Sequence, residues 1–333
     1  MSSTSALLRG VPPRRIGWTG GLLTATRLAR HRRLRRPLRL VLLERHPEGT
    51  VFGPPMAFWL NQRSRLLRAE VNGPVETADL VWVFTQDPLV PEARAALSAD
   101  LARVRPGVPV LNPLSSYDAY HLDDCFPRLA AAGVRVPRHE FGPADLGRTE
   151  VVYKRQGEQV SRMERARYAG PRPGYRTFGL VDGRGADGLW RRYRLFHVAG
   201  AVFPIEAMAG GDWEVRSTTS DRLELDATMT EHEAEQVRLV ARTLGLDCFC
   251  VDLLRRREDG LPVVVDVNVY PTMVAGEHVT GARGLVGQWH VWDIPAWAGL
   301  AWPTGQSNWD LVDAALAARV RQGAPDARAL SAR

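Results

Sequence analysis

Three oxygen-bearing side chains, Asp252, Asp266 and Asn268, lie close to a predicted turn in the segment CFCVDLLRRREDGLPVVVDVNVY. Two apolar runs flank Asp259-Gly260 in this segment, and an Asp-Gly step between such runs is a strong hairpin signal. If the turn is centred on Asp259, Asp252 lies directly opposite Asp266. Asn268 follows two residues later and shares the face of Asp266. The spacing therefore predicts that the three side chains converge.

Opposed carboxylates repel each other, and carboxylates within an apolar run are costly unless a positive charge compensates them. A divalent cation does so, and ligation by two carboxylates and an amide suits Mg²⁺ or Mn²⁺. The sequence therefore predicts a metal site at Asp252, Asp266 and Asn268. The alternative is an aspartate pair held by arginines such as Arg255 to Arg257, with Asn268 in a turn.

The chain contains 43 arginines and a single lysine, Lys154, within the strand-like segment VVYKRQ. In this chain, arginine is therefore used wherever any positively charged side chain is sufficient. A lysine retained in such a chain suggests a site that needs a compact ammonium group and not a planar guanidinium. Chance is the alternative explanation.

Composition is that of a soluble, globular protein. The chain has 333 residues, of which 45% are hydrophobic, enough for two domains or for one domain with two lobes. No run reaches the roughly 18 apolar residues of a spanning helix, and the first 13 residues do not resemble a secretory signal. Three cysteines without a paired spacing favour a reduced, cytoplasmic compartment.

The formal net charge is +7, and basic residues are concentrated between Arg27 and Arg39. This run lacks interleaved aromatic residues and ends in a strand-like LRLVLL, so we interpret it as a solvated helix face and loop. We therefore expect neither nucleic acid nor a membrane as a partner. A homodimer stays open.

Short apolar strands alternate with helical stretches before residue 112, which predicts a small α/β layer with a parallel sheet. The predicted strands include 38–43, 78–84 and 107–112, and the apolar spacing of PEARAALSADLARV predicts a helix between the last two.

The second region, from Asn112 onward, mixes helices with antiparallel strands. We predict a helix over about 117–132 that ends at Gly133, a polar mobile loop over 157–188, and a hairpin with its turn at Ala199-Gly200. Further predictions are a capping box at Thr230 and Glu233 and a closing amphipathic helix over 308–322.

This order of a strand lysine, a strand aspartate and a later D-V-N resembles the ATP-grasp superfamily. AAGVRVP is similar to the family's junction before the lysine strand. The resemblance implies an α/β fold: a Rossmann-like pre-ATP-grasp domain (1–112), then an α+β, two-lobed ATP-grasp domain (113–322). Its small lobe would span about 113–188 and its large lobe about 189–322, with 323–333 as a flexible tail.

The resemblance also implies roles for individual residues. Asp252, Asp266 and Asn268 would hold one or two Mg²⁺ ions that bridge the β- and γ-phosphates of ATP, and Lys154 would contact the α/β region. Arg194 in YRLFHVAGAV and Arg216 in GDWEVRS resemble the family's arginines that face the transferring phosphoryl group. As the alternative, these two arginines pair with nearby carboxylates: Asp212, Glu206 or Glu214.

Two features depart from the family pattern. An earlier phosphate-contacting lysine is absent from HLDDC (121–125) or is replaced by Arg128, and the glycine-rich loop is reduced to Gly157. Backbone groups of that loop still suit phosphate.

The resemblance implies an ADP-forming carboxylate-amine ligase that joins a small-molecule or peptide carboxylate to an amine. Asp in place of the usual Glu keeps open a kinase that phosphorylates a hydroxyl group. The missing lysine keeps open a nucleotide-binding module without turnover.

Overall fold

The computed structural model divides into two compact units. The first comprises residues 1–114, 198–201 and 269–333, and the second comprises 115–197 and 202–268. The described residues are 37–45, 53, 56–57, 60–61, 64, 66–85, 87–156, 162–215, 222–223, 229–269 and 308–323. Among them, no helix is both long and apolar enough to span a membrane.

The first unit contains a parallel four-stranded sheet in the order β2-β1-β3-β4. Its strands are β1 (Leu38–Leu43), β2 (Leu67–Val71), β3 (Leu80–Val83) and β4 (Val110–Leu111), and helix α1 (Pro91–Leu101) joins β3 to β4. Every residue of β3 is buried, which is typical of a strand covered on both faces. The predicted parallel sheet and its helix are confirmed, whereas β2, with Arg68 and Glu70 among its five residues, has no counterpart in the sequence prediction.

Two further features complete the first unit. A short 3-10 helix spans Val75–Thr77. Helix α4 (Asn308–Gly323) confirms the predicted closing helix. It buries Leu316 fully, and its Asp313 accepts a 2.5 Å hydrogen bond from the Ser64 hydroxyl. The helix thus packs within the first unit, whereas the sequence-based division assigned residues up to 322 to the second domain.

The second unit contains a three-stranded antiparallel sheet, which we call the small sheet, in the order β6-β5-β7. Its strands are β5 (Glu150–Arg155), β6 (Met163–Arg167) and β7 (Tyr175–Gly179). The prediction of a mobile loop over 157–188 is therefore wrong at β6 and β7, which form regular strands within that segment. Strands β6 and β7 are short, contain several arginines and bury only Phe178 between them, so their sequences show no clear apolar alternation. Strand β5 places Val151 and Tyr153 in a buried core.

A five-stranded sheet, which we call the large sheet, has the order β10-β9-β8-β11-β12. Its strands are β8 (Trp190–Val198), β9 (Ala201–Gly210), β10 (Arg222–Leu223), β11 (Cys248–Arg255) and β12 (Pro262–Asn268). The predicted two-residue turn joins β8 to β9, with φ values of +47° at Ala199 and +99° at Gly200. Positive φ at both central residues matches the twist of the flanking strands.

Helix α3 (Glu231–Leu244) begins at the predicted capping box. The Glu233 amide donates to the Thr230 hydroxyl at 3.2 Å, and the Glu233 carboxylate accepts from the Thr230 amide at 2.7 Å. The helix ends at Gly245, where φ is +68°. The same Glu233 carboxylate accepts a 2.6 Å bond from Arg255, which ties α3 to strand β11.

Helix α2 (Cys125–Ala131) is shorter than the predicted helix over 117–132. Pro127 explains the difference, because proline lacks an N–H and clashes with the carbonyl four residues earlier, so it is tolerated only in a first helical turn. Upstream, the chain forms a 3-10 helix at Ala119–His121. The predicted end at Gly133 is confirmed by its φ of +87°. Another 3-10 helix spans Pro143–Asp145.

Candidate functional site

The β11–β12 hairpin places the two predicted carboxylates opposite each other. The ladder pairs Asp252 with Asp266 and Cys250 with Asn268, as the sequence predicts. A bulge between Asp252 and Leu253 interrupts the ladder, and Val265 has no partner across it. Carboxylate and amide side chains therefore share one face of the hairpin.

Asp252 is buried, and two arginines of the neighbouring strand β8 bind it. Arg194 donates to both carboxylate oxygens, with Nε to Oδ1 at 2.6 Å and Nη2 to Oδ2 at 2.8 Å, and Arg192 Nη1 approaches Oδ2 at 3.4 Å. Burial alone would raise the pKa of Asp252, but the charges of Arg192 and Arg194 offset it and lower that pKa to about 2. Asp252 is therefore ionised at neutral pH.

Asp266 is half-buried, and a lysine and a tyrosine share one of its oxygens. The single lysine, Lys154 on β5, donates from Nζ to Asp266 Oδ1 at 2.5 Å. The Tyr120 hydroxyl donates to the same oxygen at 2.6 Å and accepts from Lys154 Nζ at 3.0 Å. Burial, with the nearby charge of Asp266, raises the pKa of Tyr120 well above its usual value. Among the residues that the structure describes, Asp266 Oδ2 has no bonding partner.

The carboxylate pair is thus compensated by cations, but not by those that the alternative interpretation named. Arg255 binds Glu233, and Arg256 binds Asp259 next to the turn. The compensating charges come from Arg192, Arg194 and Lys154, which stand on strands that flank the hairpin or cover it. Arg194, for which the alternative was a pair with a carboxylate at 206, 212 or 214, binds the Asp252 carboxylate.

Comparison with solved structures identifies the architecture. Two structures of PsnB, an ATP-grasp ligase, match this chain with TM-scores of 0.52. One is complexed with a phosphomimetic variant of its minimal precursor, Mg and ADP; it is 14% identical, and the match covers 85% of this chain and 99% of that one. The other is complexed with a precursor peptide and AMPPNP; it is 15% identical and covers 84% and 97%.

The chain has the ATP-grasp fold. The resemblance drawn from the sequence is confirmed at this level. No protein-family model matches the sequence, and a search of curated proteins finds no match. The ATP-grasp assignment therefore rests on structure, and any reaction has to be argued from the side chains of the site.

Within the ATP-grasp fold, the predicted phosphate contact Arg128 is not brought to the carboxylates. It lies on α2 and donates from Nη2 to the Thr243 carbonyl at 3.0 Å, near the end of α3. Arg176 on β7 lies directly across the ladder from Lys154 instead. Two other predicted residues, Gly157 and Arg216, lie outside the described residues, as does the basic run up to residue 36.

The sequence did not indicate Tyr120 or Arg192 as functional candidates, nor the position of Arg176 opposite Lys154. Arg192 lies two residues before Arg194 and shares its face of β8, a spacing that was visible in the sequence. Arg176 becomes visible only once β7 is recognised as the partner of β5. Tyr120 lies in the three-residue 3-10 helix before α2, which is too short for a periodicity that would indicate the direction of its side chain.

A cavity of about 1040 Å³ lies elsewhere in the second unit. It is lined mainly by the extended segment 133–142, with Arg256 and Val263 from the hairpin. None of the predicted site residues lines it. Segment 180–189 joins β7 to β8, and its Asp182 carbonyl accepts from the Arg257 amide at 2.8 Å.

Proposed function

We propose that this protein is an ADP-forming ligase that activates a carboxylate with MgATP and joins it to an amine. One observation carries the proposal. On an ATP-grasp fold, the single lysine, two facing aspartates and an arginine fork form one cluster, in which Lys154 bonds to Asp266 and Arg194 to Asp252. Positioned cations beside carboxylates are the components that phosphoryl transfer requires.

The donor set fits a magnesium ion. Asp252, Asp266 and Asn268 offer only oxygen ligands from their acids and amide, which Mg²⁺ and Mn²⁺ prefer over sulfur or imidazole donors. The Asp266 side chain is 35% exposed, and none of the described hydrogen bonds reaches its Oδ2. When bound, Mg²⁺ would neutralise the β- and γ-phosphates and leave the γ-phosphorus open to attack.

The residues of the cluster have distinct roles in this proposal. Lys154 exchanges its bond to Asp266 for a phosphate oxygen, since an ammonium group with three donors can turn from one anion to the other. Arg194 stays buried at the base of the cluster and stabilises charge at the transferring phosphoryl group. Arg216 would act on the same group, and backbone amides near Gly157 would hold phosphate.

The reaction needs no nucleophile from the protein. A substrate carboxylate oxygen attacks the γ-phosphorus, the bond to the bridging oxygen breaks and ADP leaves. The amine then attacks the acyl phosphate, phosphate departs and the amine gives up a proton, leaving an amide. A structure of PsnB is complexed with a precursor peptide, which supports a peptide as a substrate; a small-molecule acid and amine are the other class.

The wider organisation is proposed on the same basis. We assign the first unit's sheet to a Rossmann-like pre-ATP-grasp domain, because its parallel strands precede the catalytic part of the chain. The small and large sheets of the second unit would be the two lobes of the ATP-grasp domain.

Release of ADP with candidate acids, measured with and without amines, tests the reaction. Amine-dependent release supports the ligase. Phosphorylation of a hydroxyl group would instead make the protein a kinase, and absence of turnover with every acid and amine would make it a nucleotide-binding module.

Calorimetry of Mg-ADP binding tests the site independently of the substrate. We expect Asp266→Ala to weaken binding by about 10-fold or more, because one charged ligand contributes roughly 1.5–3 kcal/mol. Asp259→Ala, on the same hairpin but paired with Arg256 at the turn, is the matched control. Wild-type affinity in Asp266→Ala would refute the site.

A further inference from the structure

Tyr120 joins the lysine and the carboxylate of the cluster through one hydroxyl group. We propose that Tyr120 is a positioning residue, which fixes the Asp266 carboxylate so that its Oδ2 is presented to the metal ion. The proposal deepens the proposed function and rests on it, because it assigns the metal to Asp266.

The three polar atoms form a closed triangle. Tyr120 Oη lies 2.6 Å from Asp266 Oδ1 and 3.0 Å from Lys154 Nζ, and the lysine lies 2.5 Å from the same carboxylate oxygen. The ammonium nitrogen is 5.1 Å from the centre of the tyrosine ring, close enough for a cation–π attraction. Both bonds to Asp266 thus reach Oδ1 and none of the described bonds reaches Oδ2.

The hydroxyl proton decides the direction of these bonds. A neutral tyrosine has one proton to donate, and the lysine ammonium can only donate, so Tyr120 donates to Asp266 and accepts from Lys154. When Lys154 turns to a phosphate, the tyrosine bond to Oδ1 remains. A carboxylate held at one oxygen has a fixed plane, so its other oxygen points in one direction. Hydrogen bonds of this kind to metal-ligating carboxylates usually strengthen metal binding by about 10- to 100-fold.

Arg176 holds the backbone that carries Tyr120. Its Nη2 donates to the His121 carbonyl at 2.5 Å and its Nη1 to the Tyr120 carbonyl at 3.3 Å. Tyr120 itself is 5% exposed and lies in a 3-10 helix of only three residues, which has little backbone bonding of its own. The arginine therefore supplies the rigidity that this short segment lacks.

Binding of Mn²⁺ to the protein in the presence of saturating ADP, followed by electron paramagnetic resonance, tests the proposal without turnover. We expect Tyr120→Phe, which keeps the ring and removes the hydroxyl, to raise the dissociation constant for Mn²⁺ by about 10-fold. Arg176→Gln should raise it to a smaller extent, because it loosens the segment but keeps the hydroxyl.

Tyr153→Phe is the matched control. Tyr153 is a buried residue of β5, and its substitution also removes two hydrogen bonds of a hydroxyl group: one accepted from the Ala169 amide and one donated to the Gly170 carbonyl. Neither bond involves the cluster. An unchanged Mn²⁺ affinity in both Tyr120→Phe and Arg176→Gln would overturn the positioning role. Lack of Mn²⁺ binding by the wild-type ADP complex would instead refute the proposed metal site itself, so the two failures are distinguishable.

Discussion

The Asp252–Asp266 pair needs positive charge whether or not a ligand is bound. In the described structure Arg192, Arg194 and Lys154 supply it, so two negative charges meet three positive ones. A buried carboxylate without such partners would be strongly destabilising. Of the three cations, Lys154 is the one we expect to exchange its partner, because it contacts the more exposed of the two aspartates.

Lys154→Arg should impair phosphoryl transfer nearly as much as Lys154→Ala. The ammonium fits within 3.0 Å of both Tyr120 Oη and Asp266 Oδ1 with its side chain only 17% exposed, a space in which a longer planar guanidinium would displace its neighbours. We expect about a 100-fold loss of kcat/KM in either variant. Steady-state kinetics are the measurement, with Arg155→Lys on the same strand as the control. Full turnover by the arginine variant would mean that the lone lysine is an accident of composition.

Protonation of Asp252 should lower the free energy of unfolding at acid pH. Its pKa is lowered from 3.8 to about 2 in the folded protein, so the ionised form stabilises the fold above about pH 4. That contribution is lost as the pH falls through 2, so the free energy of unfolding decreases in acid. Urea unfolding at pH 5 and pH 3 should show a smaller decrease for Asp252→Asn than for the wild type. Glu258→Gln, at an exposed position of the same hairpin, should behave like the wild type, and parallel decreases in all three proteins would contradict the assignment.

At the scale of elements, a bulge decides the geometry of the hairpin. Near the turn the ladder pairs Leu253 with Val264, and a regular ladder would continue with Asp252 opposite Val265. Asp266 would then point to the other face, since a shift of one residue reverses every side chain. The extra residue of the bulge, Val265, shifts the pairing by one residue, so that Asp252 and Asp266 lie opposite each other on the same face. Bulges next to functional sites commonly re-aim a side chain in this way.

The small sheet carries Lys154 and Arg176 on adjacent strands, so we expect it to respond to nucleotide as one body. Its strands β5 and β7 should show slower amide hydrogen exchange, by about 10-fold, when Mg²⁺ and a non-hydrolysable ATP analogue bind, because ligand binding stabilises the bound conformation. Hydrogen exchange followed by mass spectrometry is the measurement, with helix α1 of the first unit as the comparison. Strong protection in the free protein that nucleotide does not change would rule out that this sheet is mobile and closes over the nucleotide. The arginines of the sheet would then have a structural role.

At the scale of the whole molecule, the chain forms two units, and the first contains residues near both ends of the sequence. Residues 1–114 supply its parallel sheet, while helix α4 arrives from beyond residue 300 and packs through Leu316 and Asp313. The sequence alone does not indicate this arrangement, because amphipathic periodicity shows that a helix has an apolar face but not which element covers that face. The cytoplasmic location and a homodimer stay predictions.

The sequence by itself determined the elements with strong local signals. The parallel strands, the capped helix at Thr230, the Ala199-Gly200 turn and the D-V-N hairpin follow from apolar patterns and turn chemistry, which act over a few residues. The candidate metal ligands Asp252, Asp266 and Asn268 followed from the same hairpin.

Only the tertiary structure decided which cations meet those carboxylates. Arg192 and Arg194 are about 60 residues from Asp252, Lys154 is 112 residues from Asp266, and Tyr120 is 146 residues from it. Contacts across such separations depend on strand order and on the packing of sheets, which local pattern does not encode. For the same reason the sequence did not indicate that Arg128, the predicted phosphate contact, bonds to the Thr243 carbonyl. Nor did it indicate that the arginine-rich segment predicted to be a loop contains two strands that pair with β5.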